Sequence, residues 1–244
     1  MSSDNAEANK TKVMGNLAHN MVNILGVHIA STRLDEVLKK ITEICSASHE
    51  KPFFITTINP EIVMLAQSDK AYRAVLNRAD LALADGQGLK LADPSLQIVP
   101  GRRLVEKLLH HNYRIFFLGG VGDRAAQMAR KYGGASDPGE ANINDPQRNT
   151  EIVAKINKYS PDILLVAYGA PAQEQWLGEN SANLKAKVVI GVGGAFDYLT
   201  GKAELPPEWL NAIGLEWAWR LVHEPWRFKR QLNLARFAVK VWLS

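Results

Sequence analysis

Short apolar runs rich in β-branched residues alternate, from residue 23 to about 195, with segments whose apolar positions recur every three to four residues. Asn23-Ile-Leu-Gly-Val-His-Ile-Ala30 predicts a first strand. Thr32 stands where it would cap a helix whose Leu34, Val37, Leu38, Ile41 and Ile44 form one apolar stripe. Phe53-Phe-Ile-Thr-Thr57 predicts the second strand, and Pro60 suits the first turn of the helix after it. The third strand, Leu81-Ala-Leu-Ala84, is short and ends at Asp85-Gly86. Tyr113-Arg-Ile-Phe-Phe-Leu118 runs into a glycine cluster, with a helix from about Asp123. Residues 133–146 read as loop, and Asp162 to Tyr168 and Lys187 to Val192 are the last strands.

Continuous apolar strands between amphipathic helices predict an α/β fold: a largely parallel sheet flanked by helices on both faces. After Pro206-Pro207 the pattern becomes helical only, rich in Trp and Arg. The chain therefore divides into a flexible polar N-terminus (1–20), an α/β body (21–200) and a helical appendage (201–244).

Composition narrows the class without changing this picture. With 46% hydrophobic and 22% charged residues among 244, the chain is neither collagen-like nor low in complexity. Cys45 is the only cysteine, so an internal disulfide and a cysteine-based zinc cage are excluded. The six histidines are scattered, and no metal site is expected. No apolar run approaches the roughly 18–20 residues that span a bilayer. Met1 to Asn20 carries two acids before its first base and lacks an apolar segment, so it reads as a loose tail on the cytoplasmic side rather than a secretory signal.

The net charge of +4 is unevenly placed. From Arg220 onward there are six bases and one acid, Glu224, so the basic character belongs to the appendage. An anionic partner is expected there.

Ligands of parallel α/β sheets bind beyond the carboxyl ends of the strands. Five polar or glycine-rich loops fall at that edge: Thr57-Ile-Asn59, Asp85-Gly-Gln-Gly88, Gly119-Gly-Val-Gly122, Tyr168 to Glu174, and Gly191-Val-Gly193-Gly194-Ala-Phe-Asp197. Gly119, Gly120 and Gly122 would let backbone N–H groups approach a phosphate, although a tight strand-to-helix turn explains them as well. Asp85 is either a turn aspartate or a general base. Asn59 and Gln173 are amides suited to sugar or uracil groups; Asn59, just before Pro60, is equally placed to cap a helix. Gly120 to Ala125 fits the dinucleotide fingerprint G-x-G-x-x-A, but the next strand ends near residue 168, so the strand-ending acid expected roughly 20 residues on is missing and the fingerprint is a weak match.

In the appendage, Arg227 and Arg230 share a helix face and could grip a diphosphate. Basic residues interleaved with Trp209, Trp217, Trp219 and Trp226 also suit an anionic membrane surface. No nucleic-acid motif accompanies the patch, so nucleic acid is not an expected partner. Deletion from about residue 201 is expected to leave a soluble α/β body, because every strand lies upstream.

Thr57-x-Asn59, Asp85-Gly-x-Gly88, Phe117-Leu-Gly-Gly120, Pro161-Asp-Ile-Leu164, Gly169-x-Pro-x-Gln-Glu174, Gly191-Val-Gly-Gly-x-Phe-Asp197, Gly214-Leu-Glu-Trp217, Arg220 and Glu224-Pro-x-Arg227 occur in order. Together they resemble the WecG/TagA/CpsF glycosyltransferases (glycosyltransferase family 26). The resemblance covers roughly residues 22–232 and implies a Rossmann-like sheet and an inverting, metal-independent enzyme without a cofactor. Such enzymes move a sugar, often N-acetylmannosamine, from a UDP-sugar to an undecaprenyl-diphosphate-linked saccharide in cell-surface polymer synthesis. It implies a cytoplasmic enzyme peripherally bound to the inner face of the plasma membrane, and homo-oligomer formation is compatible with it. Asp85 falls on the family's proposed base. Thr57, Asn59 and Gln173 fall on substrate-binding positions, and Arg220, Arg227 and Arg230 on arginines thought to close over the diphosphate. Gly193 and Gly194 join Gly119, Gly120 and Gly122 as nucleotide-binding candidates.

Two departures remove positive charge near the expected site. Ile98-Val-Pro-Gly101 stands where Arg-Val-x-Gly is usual, with Arg102 or Arg103 as substitutes, and Leu205-Pro-Pro207 stands where Arg-Ala-Pro is usual. They motivate one alternative, a nucleotide-binding homologue without turnover. A second alternative, from Gly120 to Ala125, is an NAD(P) oxidoreductase.

Overall fold

The computed structural model describes residues 20–47, 51–139, 143, 145–204 and 228–243, with side chains described from Asn233 in the last stretch. Eight strands form one sheet: β1 (Met21–Ile24), β2 (Val27–Ala30), β3 (Phe53–Ile58), β4 (Leu81–Ala84), β5 (Ile115–Gly119), β6 (Ala135–Asp137), β7 (Ile163–Ala167) and β8 (Val188–Gly191). Their spatial order is β1-β2-β4-β3-β8-β7-β5-β6, and every pairing except β1 with β2 is parallel.

Among the described residues the helices are α1 (Leu34–Ser46), α2 (Pro60–Ser68), α3 (Lys70–Arg78), α4 (Gly101–Leu108), α5 (Arg124–Tyr132), α6 (Pro146–Tyr159), α7 (Ala172–Asn180), α8 (Ala195–Leu199) and α9 (Phe228–Trp242). A 3-10 turn covers Gln87–Leu91. Successive strand residues point to opposite faces. Thus Ile115 and Phe117 pack with α1, α4, α5 and α8, while Phe116 and Leu118 pack with α6 and α7. Burial on both faces is why these strands are apolar at every position. The expected α/β fold with a mostly parallel sheet and a C-terminal helix is the observed one.

Three local readings need correction. The run 23–30 is a hairpin, not one strand: Leu25 and Gly26 both have positive φ (50° and 83°), the two-residue turn whose twist matches its strands. Asn23 holds that turn by accepting from the Gly26 N–H at 2.8 Å. At the start of α1 the N-cap is Arg33, and the Thr32 hydroxyl instead donates to Glu36 at 2.7 Å. Residues 133–146 are not all loop, because Ala135–Asp137 pairs with β5 as an edge strand. Its Ala-Ser-Asp sequence carries no apolar signal, and only pairing reveals it.

α9 is docked on the body. Leu234, Phe237 and Val241 lie on one helix face and join a cluster with Ile58, Ile62 and Leu89; Phe237 is fully buried. This changes the expectation for a deletion from residue 201, since such a deletion would bare the apolar surface under Phe237. Val239, Trp242 and Leu243 remain exposed on α9 and just beyond it. Trp209, Trp217, Trp219 and Trp226 lie outside the described residues. Among the described residues no helix is long and apolar enough to cross a membrane.

Candidate active site at the carboxyl edge of the sheet

The adjacent strands β3 and β8 lead into helices on opposite faces: α2 packs in the cluster of Ile62 and Phe237, α8 in that of Phe117 and Val105. Where neighbouring strands diverge in this way, a crevice opens beyond their carboxyl ends. Thr57, Asn59, Gly191 and Gly193 stand at this point, and Asp85 follows the neighbouring strand β4.

Thr57 is buried, and its hydroxyl donates to the Gly191 carbonyl at 3.3 Å. A Cβ on Gly101 would come within 2.9 Å of Thr57 Cγ2, so the start of α4 lies directly against it. Asn59 caps α2: Oδ1 accepts from the Ile62 N–H at 3.0 Å, the role its place before Pro60 foretold. The Asp85 N–H donates to the Ile58 carbonyl at 2.6 Å, which fixes the loop to the end of β3, and Gly86 follows at φ +103°. Gly88 allows a close approach: a Cβ there would lie 2.9 Å from both Leu234 of α9 and Pro60 of α2. The Asp85 loop and the C-terminal helix are thus packed together.

Gln173 opens α7 and is only 2% exposed. Its Oε1 accepts from the Gly193 N–H at 2.8 Å, and its Nε2 donates to Glu174 Oε1 at 2.6 Å. Glu174, fully buried, also accepts from the Tyr72 hydroxyl at 2.9 Å and the Thr56 hydroxyl at 3.3 Å. Burial holds the Glu174 carboxyl above the ordinary carboxylate range, against the opposing pull of these hydrogen bonds. The folded state therefore binds this proton more tightly than the unfolded chain does. The group's contribution to stability is fully present below the ordinary carboxylate pKa and is lost as pH rises through the raised one. Urea unfolding from about pH 4 to pH 8 should show wild type losing stability with rising pH relative to Glu174→Gln, which cannot ionise. Parallel curves for the two proteins would contradict the raised value.

The glycine loop after β5 lies two strands from the crevice. Gly119, Gly120 and Gly122 all have positive φ, and the Gly120 N–H is taken by the Ala167 carbonyl at 3.0 Å. A Cβ on Gly119 would meet the Tyr168 ring at 2.8 Å, and one on Gly120 would meet Arg124 Cβ at 2.8 Å. Close packing explains these two glycines, whereas Gly122 and Gly193 lie open. Gly194 precedes α8.

Arg124, not singled out from sequence, starts α5. Its Nε donates to Asp197 Oδ1 at 2.9 Å, tying the Gly119–Gly122 loop to the Gly191–Asp197 loop. Its only sequence signal is its place inside the G-x-G-x-x-A match. Of the residues offered in place of the missing family arginine, Arg102 pairs with Glu106 at 3.5 Å and Arg103 is exposed on α4. Arg220 and Arg227 lie outside the described residues, and Arg230 is on α9 with its side chain undescribed.

The acid missing from the dinucleotide fingerprint is present after all. β5, α5 and β6 form a βαβ unit that ends in Asp137. Asp137, however, is buried and accepts from Arg148 Nη2 at 2.6 Å, Lys155 Nζ at 2.8 Å and the Gly139 N–H at 2.9 Å. A carboxylate engaged by two cations is not offered to ribose hydroxyls, so the oxidoreductase reading loses its reader.

The described glycosyl transferase WecG/TagA/CpsF family matches residues 22–244. The chain is also 29% identical over 233 residues to proteins of Staphylococcus aureus strains MRSA252, MW2 and NCTC 8325 / PS 47, covering 90% of this chain and 91% of each relative. Each is named N-acetylglucosaminyldiphosphoundecaprenol N-acetyl-beta-D-mannosaminyltransferase. With an α/β sheet of the expected kind and a family match running from β1 to the last residue, this chain belongs to the WecG/TagA/CpsF family of glycosyltransferases.

Proposed function

We propose that the protein transfers N-acetylmannosamine from its UDP donor to an undecaprenyl-diphosphate-linked N-acetylglucosamine, with inversion and without a metal. The observation that carries this is the point where the chain leaves the adjacent strands β3 and β8 to opposite faces, with Asp85, Thr57, Asn59 and Gln173 set about it, in a chain collinear with relatives named for that transfer. Asp85 accepts the proton of the acceptor hydroxyl while its oxygen bonds to the anomeric carbon. The bond from that carbon to the UDP oxygen breaks, and its electron pair leaves with UDP. Thr57 and Asn59 orient the sugar, and Gln173 serves the site through its hold on the Gly193 N–H. The open backbone at Gly122, Gly193 and Gly194, with Arg220, Arg227 and Arg230, meets the charge that develops on the diphosphate.

Arg124 belongs to the same donor site. Its guanidinium bridges the two glycine loops, with Nε on Asp197 at 2.9 Å and Nη1 3.8 Å from Asp123 Oδ1. A charged hydrogen bond is worth about 1.5–3 kcal/mol, so Arg124→Met should raise the donor KM by about 10- to 100-fold. An unchanged donor KM in that variant would remove Arg124 from the donor site.

The 201–244 segment docks on the anionic inner face of the plasma membrane, and the protein works there as a peripheral cytoplasmic enzyme. Trp242, Leu243 and Val239 are exposed beside Arg236 and Lys240, which supports this reading. Vesicle binding should weaken with salt, because each base near the surface contributes about 1 kcal/mol that falls off within a Debye length.

The deciding experiment gives purified protein UDP-N-acetylmannosamine and a short lipid-diphosphate N-acetylglucosamine acceptor. A disaccharide-lipid product of inverted anomeric configuration is expected. Binding of UDP without any transfer would instead favour the homologue without turnover, the outcome suggested by Ile98 and Leu205 in place of arginines.

A further inference from the structure

We propose that Glu174 is a positioning residue for the donor site: its buried Oε1 fixes the orientation of the Gln173 amide, which in turn holds the Gly193 N–H and sets the turn after β8. This rests on the reading of that turn as part of the donor site.

The two ends of a glutamine amide have nearly the same shape, and neighbours decide which faces where. Here Oε1 faces a donor, the Gly193 N–H, and Nε2 faces an acceptor, Glu174 Oε1. The flipped amide would set N–H against N–H at Gly193 and oxygen against oxygen at Glu174. Glu174 Oε1 is an acceptor whether or not Oε2 carries a proton, so the discrimination survives either protonation state.

Donors from three elements converge on the Glu174 carboxyl. Thr56 comes from β3, Tyr72 from α3 and Gln173 from α7. Burial and the nearby carboxylate push the Tyr72 phenol up, so its hydroxyl keeps its proton for this bond. The neighbouring Thr57 holds the Gly191 carbonyl, so β3 grips the end of β8 both directly and through Glu174. A Cβ on Gly191 would come 3.0 Å from Gln173 Nε2 and 3.2 Å from Glu174 Oε1, which seats the pair against the floor of the crevice.

A buried carboxyl is a costly way to fill space, and an apolar side chain of similar volume would do that more cheaply. What an apolar residue lacks is the acceptor. Gly193, at φ +51° with open space where a Cβ would be, has its N–H turned inward to Gln173.

The test compares wild type with Glu174→Met and Glu174→Gln in the full chain. Loss of an orienting hydrogen bond should raise the donor KM of Glu174→Met about tenfold while kcat stays within about threefold. Calorimetric UDP affinity should fall by the same factor, and hydrogen exchange at the Gly193 amide should accelerate while the β8 amides stay protected. Glu174→Gln keeps one acceptor oxygen and should recover most of the wild-type KM. A folded Glu174→Met protein with wild-type donor KM and wild-type Gly193 protection would overturn the proposal. Should that variant fail to fold, Tyr72→Phe keeps the ring volume and removes one bond to Glu174: a severalfold rise in KM is expected, and wild-type values would overturn the idea. If wild type itself transfers no sugar, the transfer reading fails, yet UDP affinity and Gly193 exchange still judge Glu174.

Discussion

Asp85→Asn should lower the rate of sugar transfer by about 10²–10⁴-fold, the usual worth of a positioned proton acceptor. The substitution keeps the shape of the side chain and removes its basicity. Folding and UDP affinity should stay near wild type, because the Asp85 loop is anchored by its backbone N–H on the Ile58 carbonyl, which the substitution leaves in place. The loss should appear in kcat and in kcat/KM alike, the signature of an interaction made in the transition state. Turnover within a fewfold of wild type would remove Asp85 from the role of base and direct attention to another group at the crevice.

The second large effect concerns the C-terminal helix. Truncating a fully buried Phe typically costs about 3–5 kcal/mol, and Phe237 is fully buried between α9, α2 and the 3-10 turn after Asp85. Phe237→Ala should therefore shift the urea midpoint strongly downward. Because α9 packs through Leu234 onto Gly88, loosening it should also disturb the Asp85 loop. Transfer should fall by more than tenfold, an effect that binding to anionic vesicles need not share, since Trp242 and Leu243 are untouched. A variant with an unchanged midpoint and full transfer would mean that α9 is dispensable to the body, as its late position in the chain first suggested.

The sequence by itself determined the layers and the edge to which the candidate loops run. Apolar runs of five or so residues, separated by helical stripes, leave little choice but a covered parallel sheet, and a parallel sheet sends all its carboxyl-end loops to one side. The ordered motifs then identified the family, and Asn59 before Pro60 announced its own cap. These features are local, set by periodicity and by the preferences of single turns. The tertiary structure decided which polar groups find partners. Tyr72 and Thr56 reach Glu174 across 102 and 118 residues of chain, and no spacing rule foretells such a meeting. The same holds for Asp137, whose strand is too short and polar to show itself and whose charge is taken up by Arg148 and Lys155 on the following helix. Phe237 looks like one more aromatic in a basic tail until α9 is seen lying on α2. Burial and hydrogen-bond satisfaction depend on what arrives from elsewhere in the chain, so pattern marked the candidate residues and packing assigned their partners.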